Sequence, residues 1–479
     1  MLRLKLGIML SIFASVSLAN DYQDWINSQQ QQYKQYKKSM DDEFSDMLKK
    51  DWKTFQLMST PSPYKDPKPL KLPKLQKPIS IQKDEIINSP IIDIEPIKKT
   101  VIVKPVQVKK EIEKKGNLSN LVFDFYSSNI TIQYDKNTDF TLQKIDKNNI
   151  SNFWKMMSKT NFTLLLDQIQ NEKENLNLND WATYQLIHKL GMAIFKENNN
   201  ANLFTWFVLI KMNYDTKVGY NMDKIYLMST IENNLFQVSF FTLKNKKYYI
   251  LRADGQTQKI GTLYTYSGDY PKAINKLSFN IYNELKFFKN LETKNLTFNY
   301  NNEKYIIQTQ YSQDLVKFYK SFPQTDYNVY FKTKSSTPFS NSILVKIAPL
   351  IKGKSEIEAV NLLLRFVQTS FKYKTDQDQF DYEKVMFPEE TVNYPYSDCE
   401  DRSILFSYLV KNLLKLDVVA VKYSDHLATA VALSSKISGD SFNYKNTQYT
   451  IADATYINAN AGTSMPKYKN SRFKIIDFQ

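Results

Sequence analysis

One cysteine and two histidines in 479 residues exclude several kinds of site. The lone Cys399 cannot form an internal disulfide, and one cysteine with two histidines leaves no zinc site of the usual Cys/His kind. Outside residues 6–16 there is no long apolar run, so no spanning helix is predicted. The net charge of +15 comes without a basic helix or a nucleic-acid motif, so nucleic acid is not an expected partner. What the chain does have is 42% hydrophobic and 14% aromatic residues, enough for at least two ordinary cores.

Residues 1–19 carry Arg3 and Lys5, an apolar run from Leu6 to Val16 and the small-residue end Ser17-Leu18-Ala19. That pattern predicts a cleavable signal peptide and a periplasmic or secreted product. Residues 20–58 read as an amphipathic helix. Tyr22, Tyr33, Phe44 and Phe55 recur every eleven residues with Trp25, Tyr36 and Met47 beside them, which keeps one stripe on one face. The 21–55 stripe suits packing on the chain's own fold, self-association or docking of a partner. Residues 59–116 read as an extended linker holding nine of the sixteen prolines. Between 60 and 115 thirteen Lys oppose seven acidic residues, so a solvated tether accounts for much of the positive charge.

The stretch that organises the rest is Tyr394-Pro395-Tyr396-Ser397-Asp398-Cys399-Glu400-Asp401-Arg402-Ser403. Ser397 and Glu400 read as a capping box, and Ile404, Leu405, Tyr408, Leu409, Leu413 and Leu416 give the following helix a buried face. Cys399 then lies in the first turn, among backbone N–H groups that favour a thiolate. Strands are predicted over 418–421, 427–433 and 449–452, with a turn at Gly439-Asp440. If the last two strands pair antiparallel without a net bulge, His426 and Asp453 sit directly opposite on one face. Cys399, His426 and Asp453 are the candidate nucleophile, base and orienting carboxylate.

Helix–strand–strand–strand with Cys, His and Asp in that order resembles the transglutaminase-like superfamily of papain-like thiol enzymes. The resemblance is greatest to its bacterial cysteine-protease branch, in which a D-C-E-D stretch opens the core helix. The matching residues are Asp398-Cys399-Glu400-Asp401, Tyr423-Ser424-Asp425-His426 and Ala452-Asp453-Ala454-Thr455-Tyr456, within residues 346–477. Ser397 stands where many members have glycine. The resemblance implies an α+β fold with a papain/transglutaminase-like core, a helix packed on an antiparallel sheet, over 346–479. It also implies attack on peptide or carboxamide bonds, in a protein or peptide substrate of the cell envelope. No cofactor is called for; some relatives in that branch require calcium, and the residues alone do not decide it.

Residues 117–255 read as an α+β domain in which the same pattern recurs. A shift of about two hundred positions lays Leu203-Phe204-Thr205-Trp206-Phe207 on Leu405-Phe406-Ser407-Tyr408-Leu409 and Asp215 on Asp417. Glu197, Lys224 and Leu251 then face Cys399, His426 and Asp453, and none of them can do thiol chemistry. The expectation is a degenerate copy kept for docking or support, against coincidence of two common patterns. His188, inside its helix, lacks a partner in sequence and reads as structural. Residues 256–345 read as a β-rich module with a hairpin around Asn301-Asn302, a helix over 312–322 and a strand over 327–331. Ser355 and Glu358 cap a bracing helix, and the loop 373–396 with the turn-rich 461–466 would form the lips of a cleft.

Two functions follow from this pattern. One is an exported thiol enzyme, acting as a protease, amidase or deamidase or as a transglutaminase through an acyl-enzyme. The other is a non-catalytic periplasmic scaffold or binding protein with the same folds.

Overall fold

The structure is a computed structural model that describes residues 25–62 and 117–478, apart from 30, 33–34, 139 and 257–259. The expected signal peptide and nearly all of the expected linker lie outside the described residues.

The chain enters through a helix over 35–48, α1. Trp52, Thr54 and Phe55 suit a strand better than a helix. Accordingly β1 (Trp52–Gln56) and β2 (Met58–Ser59) replace the end of the helix expected through residue 58. Across the undescribed stretch, β3 (Leu118–Phe125) and β4 (Ser128–Asp135) form a hairpin on which three helices follow, α2 (Lys147–Met157), α3 (Phe162–Asn175) and α4 (Asp180–Phe195). Then come α5 (Asn198–Lys211) and the strands β5 (Thr216–Asn221), β6 (Lys224–Ser229), β7 (Ser239–Leu243), β8 (Lys246–Leu251) and β9 (Thr262–Tyr266).

The second half starts with another hairpin, β10 (Leu291–Tyr300) and β11 (Glu303–Ser312), turning at Asn301-Asn302 with both residues at positive φ. Helices α6 (Gln313–Lys320), α7 (Tyr327–Lys332), α8 (Thr337–Ile351) and α9 (Glu356–Ser370) follow. The strand expected over 327–331 is thus helical; Tyr327, Tyr330 and Phe331 are buried at i, i+3 and i+4. With helices α6 to α8 after the hairpin, and β9 part of the first sheet, residues 256–345 do not form a separate β-rich module. Next are β12 (Lys372–Tyr373), α10 (Asp376–Phe380), α11 (Pro388–Asn393) and β13 (Tyr396–Ser397). Helix α12 (Cys399–Leu413) and strands β14 (Val418–Lys422), β15 (Leu427–Val431), β16 (Ser441–Tyr444), β17 (Thr447–Ala452) and β18 (Lys474–Ile476) complete the chain.

The fold is α+β, and its two halves share one topology. In the first sheet the order is β1-β9-β5-β6-β8-β7-β2, and in the second, read from β18, it is β18-β14-β15-β17-β16. All named pairs within both sheets are antiparallel. Each half also has a hairpin with one helix on each strand: α3 on β4 and α4 on β3, then α8 on β11 and α9 on β10. The hairpin turns Lys244-Asn245 and Lys445-Asn446 are the same dipeptide, both at positive φ.

Alternation along the strands decides which layer each side chain joins. Val418, Ala420, Leu427 and Val431 face α12 in the main core, whereas Val419, Val421, Ala428 and Ala430 face the far side. On that far side the chain from 456 to 468 covers the second sheet through Tyr456, Ala459, Met465 and Tyr468. In the first half Leu57, Met228, Phe241, Tyr248, Ile250, Ile260 and Leu263 form the corresponding far-side cluster. There residues 52–59 pair with both edges of the sheet, β1 on β9 and β2 on β7, and so close it on itself.

Candidate active site

Helix α12 starts one residue later than the Ser397–Glu400 box requires. Asp398 is the N-cap: its carboxylate accepts the Asp401 N–H at 3.4 Å, and the Asp401 carboxylate accepts the Asp398 N–H at 3.2 Å. The Ser397 hydroxyl instead accepts a 3.0 Å bond from Arg402 Nε. Cys399 therefore occupies the first helical position. Ser403, one turn on, donates to the Leu427 carbonyl at 3.0 Å and ties the helix to β15.

His426 closes the turn between β14 and β15, its carbonyl accepting the Tyr423 N–H at 2.9 Å. Asp453 follows the last residue of β17. The register pairs Thr429 with Ala452, two residues away from the one that would set His426 directly opposite Asp453. A two-residue slip keeps both on one face. The pair still meets, His426 Nε2 and Asp453 Oδ2 lying 2.8 Å apart, while Asp453 Oδ1 accepts the N–H groups of Thr455 at 2.8 Å and Tyr456 at 3.3 Å. His426 Nδ1 is buried without a hydrogen-bond partner. The turn expected at Gly439-Asp440 is displaced to Lys445-Asn446 by the insertion of β16.

Gln368 on α9 is a residue that sequence reasoning did not single out. Its Nε2 donates to the carbonyls of Asp453 and Ala459, each at 3.0 Å, and its Oε1 accepts the Asn458 N–H at 3.1 Å. Tyr468 is another: its ring stacks on His426 at 4.9 Å, and its hydroxyl donates to Asp425 at 3.1 Å. Lys467 pairs with the same Asp425. Tyr468 belongs to the covering segment, so the expected lip at 461–466 is part of a lid on the sheet. Much of the loop expected as the other lip is interior, with Phe387 stacked on Tyr319 at 4.2 Å.

Cys399, His426 and Asp453 are each 3% exposed. The Cys399 thiol donates to Glu400 Oε2 at 2.8 Å. Burial pushes its pKa well up, the Glu400 and Asp398 carboxylates push it further, and the Leu427 N–H, next in the chain to His426, acts the other way. Tyr327 donates to the other Glu400 oxygen at 3.3 Å.

Behind the helix start, carboxylate oxygens of Asp376, Asp398 and Asp401 lie within 4.8 Å of one another. Burial raises the pKa of Asp376 and Asp398 well above the ordinary range. Asp376 also accepts the Lys384 N–H and Asp401 the Met386 N–H, each at 2.8 Å. Three residues already committed to backbone donors fall short of the six to eight oxygens calcium takes. Arg402, fully buried, feels the charges of Asp398 and Asp401; it donates to the carbonyls of Gln368 at 3.3 Å and Phe371 at 2.9 Å, and burial pushes its pKa down to about 10.

The first half presents other residues at the corresponding points. Glu197 is the N-cap of α5 as Asp398 is of α12, which sets Asn198 against Cys399. Lys224 keeps its place opposite His426 at the head of the second strand. The pairing of Leu227 with Leu251, against Thr429 with Ala452, sets Arg252 against Asp453 in place of Leu251. Comparison of the chain with protein-family models, with curated proteins and with solved structures finds no match.

Proposed function

We propose that the chain is a thiol enzyme that acts on peptide or carboxamide bonds through Cys399, His426 and Asp453, with the transglutaminase-like core that the D-C-E-D stretch implies. The observation that carries this reading is the division of labour on His426. Its Nε2 is held by Asp453 at 2.8 Å, and its buried Nδ1 has no partner. An imidazole fixed in this way has one nitrogen left to take a proton from a thiol.

The proton moves from Sγ to His426 Nδ1 as sulfur forms its bond to the carbonyl carbon. The Cys399 and Glu400 N–H groups, which the Asp398–Asp401 box does not use, are the donors available to the oxyanion. The C–N bond breaks as Nδ1 returns the proton to the leaving amine. Water, deprotonated by the same nitrogen, attacks the thioester, and the acid leaves as the thiol is restored. An amine in place of water would give a cross-link; hydrolysis is the expected outcome because an exported enzyme meets water in excess.

The Cys399 thiol is hydrogen-bonded to Glu400 and not to His426, so in this reading substrate must turn the proton toward His426. The scaffold reading draws on the burial of the same thiol. Iodoacetamide alkylation followed by intact mass separates the two, because the chain has one cysteine. Labelling of the folded chain that disappears in His426→Ala supports the enzyme. Labelling that stays slow until denaturation refutes it.

A further inference from the structure

The first half has no thiol, imidazole or carboxylate at the points that correspond to Cys399, His426 and Asp453, and the space there is open. A cavity of about 560 Å³ opens where Asn198, Lys224 and Arg252 replace Cys399, His426 and Asp453, with Tyr184, His188 and Asn202 also on its wall. A second cavity of about 430 Å³ shares His188, Ala253 and Asp254 with the first and runs on past Gln185 to Tyr126 at the tip of the β3–β4 hairpin. Together they form an elongated trough across the first half.

Two features mark it as a place for an occupant. Tyr184 is fully buried, lines the trough, and its hydroxyl has no hydrogen-bond partner. A buried hydroxyl without a partner is a group that an occupant of the trough can pair. Burial, with Asp254 nearby, pushes its ionisation far up, so it stays a neutral hydroxyl that can donate and accept. The second feature is the balance of the lining. Arg252 is neutralised by Asp254 at 2.7 Å, and Asn198 and Asn202 side chains hydrogen-bond His188, whose pKa burial lowers. Asn199 and Asn202 also fasten the head of β6 to α5, through the Ile225 N–H at 2.9 Å and the Ile225 carbonyl at 2.8 Å. The wall therefore offers fixed donors and acceptors among charges of both signs, Lys189, Lys224 and Lys317 standing against Glu197, Asp223 and Asp314. Such a wall suits a ligand with alternating N–H and C=O groups better than a polyanion or an apolar chain.

We infer that this trough is a polypeptide exosite: it holds an extended stretch of the protein substrate without cleaving it, while Cys399 acts on another stretch. The choice of polypeptide rests on the reading of Cys399 as a nucleophile toward peptide or carboxamide bonds; the trough itself does not.

The test uses the full chain carrying Cys399→Ala and follows the fluorescence anisotropy of fluorescein-labelled carboxymethylated casein. Asn198→Trp places a large ring at an exposed helix start and fills the trough, while Tyr184→Phe removes only the unpaired hydroxyl. Casein should bind. Asn198→Trp should raise Kd at least tenfold and Tyr184→Phe severalfold, with unfolding temperatures unchanged. Casein that does not bind, that binds Asn198→Trp as well as the parent, or that is displaced by chitohexaose overturns the exosite. Alkylation of Cys399 in the unmodified chain reports on the chemistry separately. An inert thiol with intact casein binding removes the enzyme and leaves the exosite, and a reactive thiol with no casein binding does the reverse.

Discussion

Glu400 is the group whose removal reads the electrostatics of the site most directly. Its carboxylate accepts the Cys399 thiol at 2.8 Å, so ionising Cys399 sets two negative charges side by side. At about 4 Å and an effective dielectric constant of about 20, they repel by about 4 kcal/mol. Glu400 is partly exposed, and solvent screening leaves about half of that. About 2 kcal/mol corresponds to about 1.5 pKa units, so Glu400→Gln should lower the thiol pKa by that much. At a pH below both values the thiolate fraction rises about 30-fold. The less basic thiolate is about 5-fold weaker as a nucleophile, which leaves a net gain of about 6-fold in alkylation rate. The assay is iodoacetamide labelling at pH 6 to 9 followed by intact mass, with the parent and Glu400→Gln side by side. If both show one profile centred near the ordinary thiol value, reagent is reaching Cys399 only through opening of the fold. The electrostatic reasoning would then be refuted.

Other substitutions bear on the shell of the site and on the fold. Gln368→Ala leaves two carbonyls and one N–H of the Asp453 loop without partners, and should cost about 2–4 kcal/mol in denaturant unfolding while slowing labelling. A loss under about 0.5 kcal/mol would show that the loop is held by other means. Asp453→Asn keeps the size of the side chain but presents the wrong hydrogen-bonding face to His426 Nε2. Labelling should fall at least tenfold with a small change in stability, and an unaltered rate would remove Asp453 from the mechanism. Glu389 accepts the N–H and hydroxyl of Ser336, and burial raises its pKa to about 7 from an ordinary 4.5. The native state then binds more protons than the unfolded state between those values, so stability is complete below about pH 4.5 and falls by up to about 3 kcal/mol as pH rises through 7. Glu389→Gln should flatten that slope in pH-dependent unfolding; a slope left intact would assign it to another group.

How far the site could be read from the chain depended on how local each determinant was. The position of Cys399 at a helix start, the strands after it and the pairing of His426 with Asp453 rest on caps, periodicity and spacing within 55 residues. Where two local signals competed, the reading slipped. Ser397-x-x-Glu400 and Asp398-x-x-Asp401 are both capping patterns; the second is the one formed, and the Ser397 hydroxyl accepts from Arg402. The register slipped by two because β16 was hidden in a polar stretch, and the helical α7 was missed because a six-residue segment with three aromatics suits either structure. Gln368, Tyr468 and Asp376 lay out of reach altogether. They meet the site across tens of residues, and nothing in their own neighbourhoods marks them. The repeat was visible as a shift of about two hundred positions, but the one-residue correction that sets Asn198 and Arg252 at the key points needed the N-cap and the β8 register.

The N-terminal segment shows what became of an eleven-residue stripe that sequence alone could not assign. Its first part remains at the surface, Trp25 and Tyr36 being 58% and 53% exposed. From residue 40 on it turns inward, with Met40, Phe44 and Leu48 buried in the first half and Trp52 and Leu57 carried along by the strands that close the sheet. Phe44 is the centre of this contact: its ring lies 4.6 Å from Trp154, 5.3 Å from Tyr270 and 5.8 Å from Tyr266. If the stripe existed mainly to meet a partner, truncating Phe44 would cost the isolated chain little. If it is a component of the first half's core, Phe44→Ala should cost about 3–5 kcal/mol in denaturant unfolding of the isolated chain. The lost edge-to-face contacts would add to that. The closing strands follow directly on this helix, so the variant should also expose the edges of β7 and β9 and become prone to association through them. A cost below about 1 kcal/mol, with sedimentation unchanged, would refute the assignment of this helix to the core and return it to the role of a partner-binding element.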